Sequence, residues 1–280
     1  MLVDLKFDYE AVTESLDKFN QKDIDELRQW TLELDGSKCV PKNLTDKQFL
    51  VFYSACYADL YKTKTCIENY YNHRKNAPEL FNHRIMRSEG IKLASKIAEF
   101  ILLPNKSNEG HDVLFHRLHD TDASNFDLDS VCKLLFKVVD LCLSKRGSQS
   151  GLVFIFDMRG VSFGHVTSIK LSTLRTLFPY VQEALPVRMK AIHVLNAEFV
   201  MEKVMLLIKP FMDKKFFGMI KLHNKNENLE SLYKVVSRTN LPSDYGGSLA
   251  NTQMLHKELM KELGLHGPYF KEEQSIVHFQ

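Results

Sequence analysis

The chain has little of what staples a small fold. It holds five cysteines in 280 residues, and Cys39, Cys56, Cys66, Cys132 and Cys142 form no CxxC pair. Odd in number and scattered, they read as reduced thiols of a cytoplasmic protein rather than as a disulfide framework. No apolar run approaches the ~20 residues that cross a bilayer. The opening stretch "MLVDLKFDYE" is charged at Asp4, Lys6, Asp8 and Glu10, so it lacks the apolar core of a secretory leader. Asn43-Leu-Thr45 and Asn105-Lys-Ser107 are then chance matches to the glycosylation triplet. With 37 basic and 35 acidic residues, no overall field recruits nucleic acid, and any basic site is a local patch.

Motifs for chemistry are missing as well. No GxGxxG opens a helix, no GxxxxGK[ST] cradles a phosphate and no GxSxG presents a nucleophile. His165, His193 and His223 end or follow strand-like segments without a Cys, Asp or Glu at metal-ligand spacing, so neither metal nor cofactor is expected. "DMRG" fits a DxxG pattern, but Asp157, Arg159 and Gly160 without a phosphate loop read as a structural turn. Catalysis is not expected.

What is present is ordinary globular material, 44% hydrophobic and 26% charged, in a chain long enough to bury a substantial core. Residues 1–90 read as helical. Ile24, Leu27, Trp30, Thr31 and Leu34 fall near helical spacing. Thr45 and Gln48 form a capping-box signature, and "TKTCIENYYNHRKNAPELF" is a helix stopped near Pro78. Residues 91–248 alternate strand and helix. "HDVLFHRL" is strand-like. A helix carries Leu128, Val131, Leu135, Val138 and Cys142 on one face and ends before Gly147. "GLVFIFD" reads as a doubly buried strand. A helix near 167–183 follows, then the strand "MKAIHVLNA", a further helix and the strand "MIKLH". The fold class is therefore α/β, a mostly parallel sheet with crossover helices behind a helical N-terminal module. Residues 249–280 form a helical tail.

One segment is anomalous. On a helix from Phe199 to Phe217, Val200, Val204, Leu207, Ile208 and Phe211 share a face and Met201, Met205 and Met212 lie beside it. The polar stripe of Glu202, Lys209 and Asp213 is narrow and contains Leu206. A surface helix needs one apolar face; this one has two. Pro210 predicts a kink or hinge, and the methionines supply an adaptable lining.

"GLVFIFDMRG", "ALPVRMKAIHVLNAEFV", "LIKPFMDKKF" and "LPSDYGG" (Leu241 to Gly247), in this order and spacing, resemble the CRAL-TRIO (Sec14-like) lipid-transfer family. The likeness is to its alpha-tocopherol transfer protein and retinaldehyde-binding protein branch. It covers roughly residues 20–248, and "LHKELMKEL" resembles the extra C-terminal helix of insect-type members. The resemblance implies a carrier of one small hydrophobic lipid, isoprenoid-like (retinoid, carotenoid, tocopherol or terpenoid). Its partners would be that lipid and, transiently, a membrane surface, with cytoplasmic, peripherally membrane-associated localisation. The apolar helix would be a mobile gate.

By strand alternation Leu152, Phe154 and Phe156 share one face and Val153 and Ile155 the other. The resemblance turns the first face toward the ligand. It adds Leu134, Val138, Phe163, Tyr180, Val181, Leu185, Val187, Ile192, Val194, Phe199, Val200, Val204, Leu207, Ile208 and Phe211 to the pocket. A polar ligand head would meet Tyr180, Ser162, His165 or water. Arg188, Lys190 and Lys215 match the branch's phosphoinositide contacts, although Phe52, Tyr53, Ser54, Ala55 and Cys56 replace a basic stretch and Met219 another cation. The competing readings are a ligand-free interaction module and a phosphoinositide or phospholipid exchange protein.

Overall fold

The computed structural model describes residues 5–197, 199–224 and 228–266. Six helices come first: α1 (Tyr9–Glu14), α2 (Gln21–Glu33), α3 (Asp46–Ala55), α4 (Leu60–Asn76), α5 (Pro78–Phe81) and α6 (Glu89–Ile97). The α3 start is the expected capping box: Thr45 accepts from the Gln48 backbone N–H, and the Gln48 side chain accepts from the Thr45 N–H. The chain leaves the helix at Asn76, and Pro78 opens α5, where its missing N–H costs nothing.

A single five-stranded sheet follows, ordered β1 (Ala98–Leu102), β2 (Asp112–Leu118), β3 (Leu152–Asp157), β4 (Met189–Leu195) and β5 (Ile220–Leu222). β1 pairs antiparallel with β2, and every other pairing is parallel. Strand β1 is not anticipated in the sequence: it continues from Ile97 with no turn residue between helix and strand. The crossovers are α7 (Leu128–Arg146), then α8 (Phe163–Ser168) with α9 (Leu171–Pro179), then α10 (Phe199–Ile208) with α11 (Lys214–Phe217). α7 stops at Gly147, whose φ of 70° only glycine adopts without strain. The single helix expected near 167–183 is two helices and a π turn over Tyr180–Ala184. α12 (Asn228–Val235) and α13 (Thr252–Leu265) complete the described chain.

Strand alternation divides the sheet into two differently used faces. Val113, Phe115, Val153, Ile155, Ala191 and Leu195 pack under Leu232, Val236, Leu241 and Tyr245 as a closed core. Leu114, Leu118, Leu152 and Phe154 face the other way, into a larger core that runs from Leu5 through α3–α7 to Leu263 of α13. The N-terminal helices and the sheet thus share one interior.

Candidate ligand cavity

The segment that ends β3 is a turn. Asp157 Oδ1 accepts from the Arg159 backbone N–H at 2.9 Å and from Asn196 Nδ2 at 2.5 Å, while Tyr245 O–H donates to Oδ2 at 2.5 Å. Gly160 follows at φ +84°, and a Cβ there would lie 2.3 Å from Thr121 Cγ2. Tyr245 belongs to "LPSDYGG", so Asp157 ties the end of β3 to that motif. Gly247 is required by close approach, since an added Cβ would fall 1.9 Å from the Leu241 carbonyl oxygen. This carboxylate is structural.

Behind the turn lies a cavity of about 300 Å³. Its floor is the sheet. Register sets Phe100, His116, Phe156 and Val194 side by side in one row and Phe154, Ile192 and Ile220 in the next. One wall is α7, through Leu128, Val131, Cys132, Leu135, Phe136 and Val139; the other is Val166, Leu177, Phe178, Val181 and Leu185. The roof is Met201, Val204, Ile208, Met212 and Phe216. Few polar groups enter this lining, namely His116, His165 and Asp157. Burial pushes the His116 pKa down to about 4 and lowers that of His165, so both imidazoles are neutral at pH 7. A second space of about 270 Å³, lined by Met158, Arg159, Gly160, Val161, Asn196, Val200 and Met201, adjoins it at the start of α10.

The structure brings Phe154, Phe156, Val181, Leu185, Ile192, Val194, Val204 and Ile208 of the expected residues onto the cavity. The others lie elsewhere. Leu134 and Val138 are fully buried in the larger core and do not line the cavity. A helix buried on two sides is apolar on both, and the cavity takes the Val131 and Leu135 side. Leu152 and Val187 border a separate void of only about 10 Å³ beside Arg188. Leu207 and Phe211 pack onto Leu174, Phe178 and Phe216 rather than into the cavity, with Phe211 stacked on Phe178 at 6.3 Å. Val200 faces the adjoining space. Phe163 and Phe199 are 60% and 86% exposed.

Tyr180 is buried but spent. Its hydroxyl accepts from Arg74 Nε at 3.0 Å and Nη2 at 2.8 Å. Arg74 and Arg84 both bond Asp140, at 2.8 and 2.5 Å, and all three charged residues are at most 1% exposed. This network bolts α4 and the α5–α6 connection to α7 and the π turn. Its long-range pairings leave no local signal in the sequence.

The roof departs from a continuous helix. α10 ends at Ile208, a 3₁₀ turn over Lys209–Phe211 contains the exposed Pro210, and α11 resumes after Asp213, whose carboxylate caps the Phe216 N–H at 2.6 Å. Only Met201 of the ten α10 residues is buried. Leu206 is 71% exposed, flanked by exposed Lys203 and Lys209.

Of the expected phosphoinositide contacts, Arg188 donates to the Ser54 and Gln149 carbonyls at 2.7 and 2.9 Å and stacks over Tyr57 at 4.1 Å. Lys190 Nζ lies 3.3 Å from the Tyr57 hydroxyl, and Lys215 is exposed on α11. Among the described residues no cluster of His, Cys, Asp and Glu is arranged to hold a metal ion, and no helix is long and apolar enough to cross a membrane.

A mostly parallel α/β sheet that forms the floor of an apolar cavity, roofed by a thinly anchored helix, defines a class of hydrophobic-ligand-binding domains. Residues 98–247 match the CRAL/TRIO domain model and residues 16–91 the Pinta-like UBA domain model. The chain belongs to the CRAL/TRIO family of lipid-binding and lipid-transfer proteins. Alpha-tocopherol transfer protein-like of Homo sapiens is 25% identical over 207 residues, which cover 74% of this chain and 59% of that relative. Clavesin-1 of Xenopus laevis is 24% identical over 215 residues, 76% of this chain and 62% of its own length. The chain thus spans less than two thirds of these relatives. The crystal structure of Sfh5 shares the fold, with a TM-score of 0.56 at 15% identity over 97% of this chain and 99% of that one.

Proposed function

We propose that this protein is a carrier that encloses one small hydrophobic lipid of isoprenoid type in the 300 Å³ cavity and exchanges it with membranes when the α10 roof moves. The observation that carries this reading is the pairing of an almost wholly apolar cavity with a roof helix that is apolar on its outer side too. A closed roof needs one apolar face. The second, with Leu206 and Phe199 exposed, suits contact with a bilayer.

The physical need for such a carrier is plain. A lipid of about twenty apolar carbons gains on the order of 16 kcal/mol by leaving water, at roughly 0.8 kcal/mol per methylene. Its unassisted desorption is correspondingly slow. A relative named for tocopherol transfer supports the carrier reading over an enzymatic one, as does the commitment of Tyr180 to Arg74. Cytoplasmic location with transient membrane association belongs to the same proposal. So does a division into helical module, lipid-binding domain and tail near residues 90 and 248. Phosphoinositide contact through Lys190 and Lys215 is a secondary element, with Arg188 serving mainly as a brace.

The test is solvent extraction of the purified protein with mass and absorbance spectra of the extract, followed by transfer assays. A stoichiometric isoprenoid is expected. Val204→Asp, which places a carboxylate in the cavity roof, is expected to abolish retention of that lipid while the protein stays folded. An empty extract that remains empty after incubation with mixed lipids would overturn the carrier reading in favour of an interaction module.

A further inference from the structure

The cavity carries a hydrogen-bond donor whose direction is set by its neighbours. His165 is 2% exposed, lines the cavity and closes the N-terminal turn of α8. Its Nδ1 lies 3.0 Å from the Ser162 backbone nitrogen and 2.9 Å from Ser162 Oγ. A backbone N–H can only donate, so Nδ1 must accept and carries no proton. The proton of the neutral ring is therefore on Nε2, and this buried Nε2–H meets no acceptor among the described residues. Phe126 meets the ring edge-to-face at 5.3 Å, a weak contact that an oxygen acceptor surpasses. A buried donor without a partner is costly, so such a group in a binding cavity marks the place of a ligand atom.

The other polar groups of the cavity narrow the ligand class. His116 Nδ1 lies 3.1 Å from the Glu99 carbonyl oxygen and must donate to it, which leaves its Nε2 as an acceptor. The Asp157 carboxylate is already bonded to Tyr245, Asn196 and the Arg159 backbone. Ser162 Oγ and the Tyr180 hydroxyl do not line the cavity and are bonded to His165 and Arg74. No cationic side chain lines this cavity among the described residues. An anionic head would enter with an uncompensated charge beside Asp157.

Resting on the carrier reading, we infer that the cavity selects a hydrophobe bearing an uncharged oxygen, a hydroxyl or a carbonyl, that accepts from His165 Nε2–H. A pure hydrocarbon and an anionic phospholipid are the disfavoured cargoes. His165 is the specificity-determining residue.

The experiment measures affinities of the whole protein for phytane, phytanol and phytanal, which share one branched chain and differ in the oxygen. About a tenfold preference for the alcohol and aldehyde over the hydrocarbon is expected. His165→Phe keeps an aromatic ring at this place and removes the Nε2 donor together with the Nδ1 acceptor. It is expected to bring the three affinities within about twofold of one another, with that for phytane unchanged. Binding of all three without discrimination by the native protein would overturn the inference and leave the carrier reading intact. Preference retained in the variant would do the same. Binding of none of them would overturn both. Should the variant fail to fold, nitrogen NMR of the native protein decides. Phytanol but not phytane is expected to shift the His165 Nε2–H resonance, and equal spectra with both would refute the assignment.

Discussion

The outer face of the roof can be tested apart from the cavity it covers. Leu206 and Phe199 are 71% and 86% exposed, so replacing both by Gln removes no interior contact of consequence and leaves Lys203 and Lys209 in place. Full burial of a Leu or Phe side chain contributes roughly 1.5–3 kcal/mol. Scaled by these exposures, the pair contributes roughly 2–5 kcal/mol if wholly buried in a bilayer. A helix at the interface sinks only partly, so the lower end applies, about 2 kcal/mol or ~30-fold in partitioning. Vesicle sedimentation with neutral phosphatidylcholine measures this directly, and transfer of a fluorescent retinoid between vesicles measures its consequence. Expected are a weakening of vesicle binding of about that size, a matching loss of transfer rate, and unchanged retinoid affinity in the absence of vesicles. Unchanged vesicle binding would refute the idea that α10 meets the membrane by its outer face. Loss of retinoid affinity would show instead that these side chains support the closed cavity.

Two stability predictions rest on other parts of the molecule. Asp140→Asn leaves the Arg74 and Arg84 guanidiniums buried against a neutral partner, which is expected to destabilise the protein by about 3–5 kcal/mol; a urea midpoint within error of the native one would contradict it. His116 and His193 both titrate near 4 in the folded state against 6.5 unfolded, so between these values the unfolded chain binds more protons. Stability is therefore full above about pH 6.5 and falls as the pH drops toward about 4, by up to about 3 kcal/mol through His116. His116→Phe is expected to remove that share of the slope in urea titrations at pH 7 and pH 5, and an identical slope in the variant would argue against it.

Four of the five strands, β2 to β5, were legible in the sequence because their signals are local. Alternation along "LVFIFD" correctly separates Phe154 and Phe156 from Val153 and Ile155, and the turn reading of Asp157, Arg159 and Gly160 matches their bonds. The helix start at Thr45 and the stop near Pro78 were equally local. The orientation of α7 was not, because Leu134 and Val138 are as apolar as Val131 and Leu135. Only the packing of residues far away in the chain decides which side meets the cavity. The same ambiguity turned Leu207 and Phe211 of the roof onto Phe178. Tyr180 is the sharpest case. An amphipathic ring in an apolar segment looks like lining, and nothing nearby in sequence announces an Arg74 bond spanning 106 positions.

These placements make the roof, rather than the walls, the part that would move in the proposed carrier. α7 buries 13 of its 19 residues and is held from behind by Arg74 and Arg84 through Asp140. Moving it would separate buried charges. The floor is a continuous hydrogen-bonded sheet closed on its far side by Tyr245 and Leu241. α10 has one buried residue, and its exit is a 3₁₀ turn at Pro210, which lacks an N–H to continue the helix. Lifting it would expose Met201, Val204 and Ile208 and would break no buried ion pair among the described residues. Free energy for opening is thus mainly apolar exposure, the one cost that a bilayer surface returns on contact. Water does not return it, so under the proposed function the same roof would stay shut in solution and yield at a membrane.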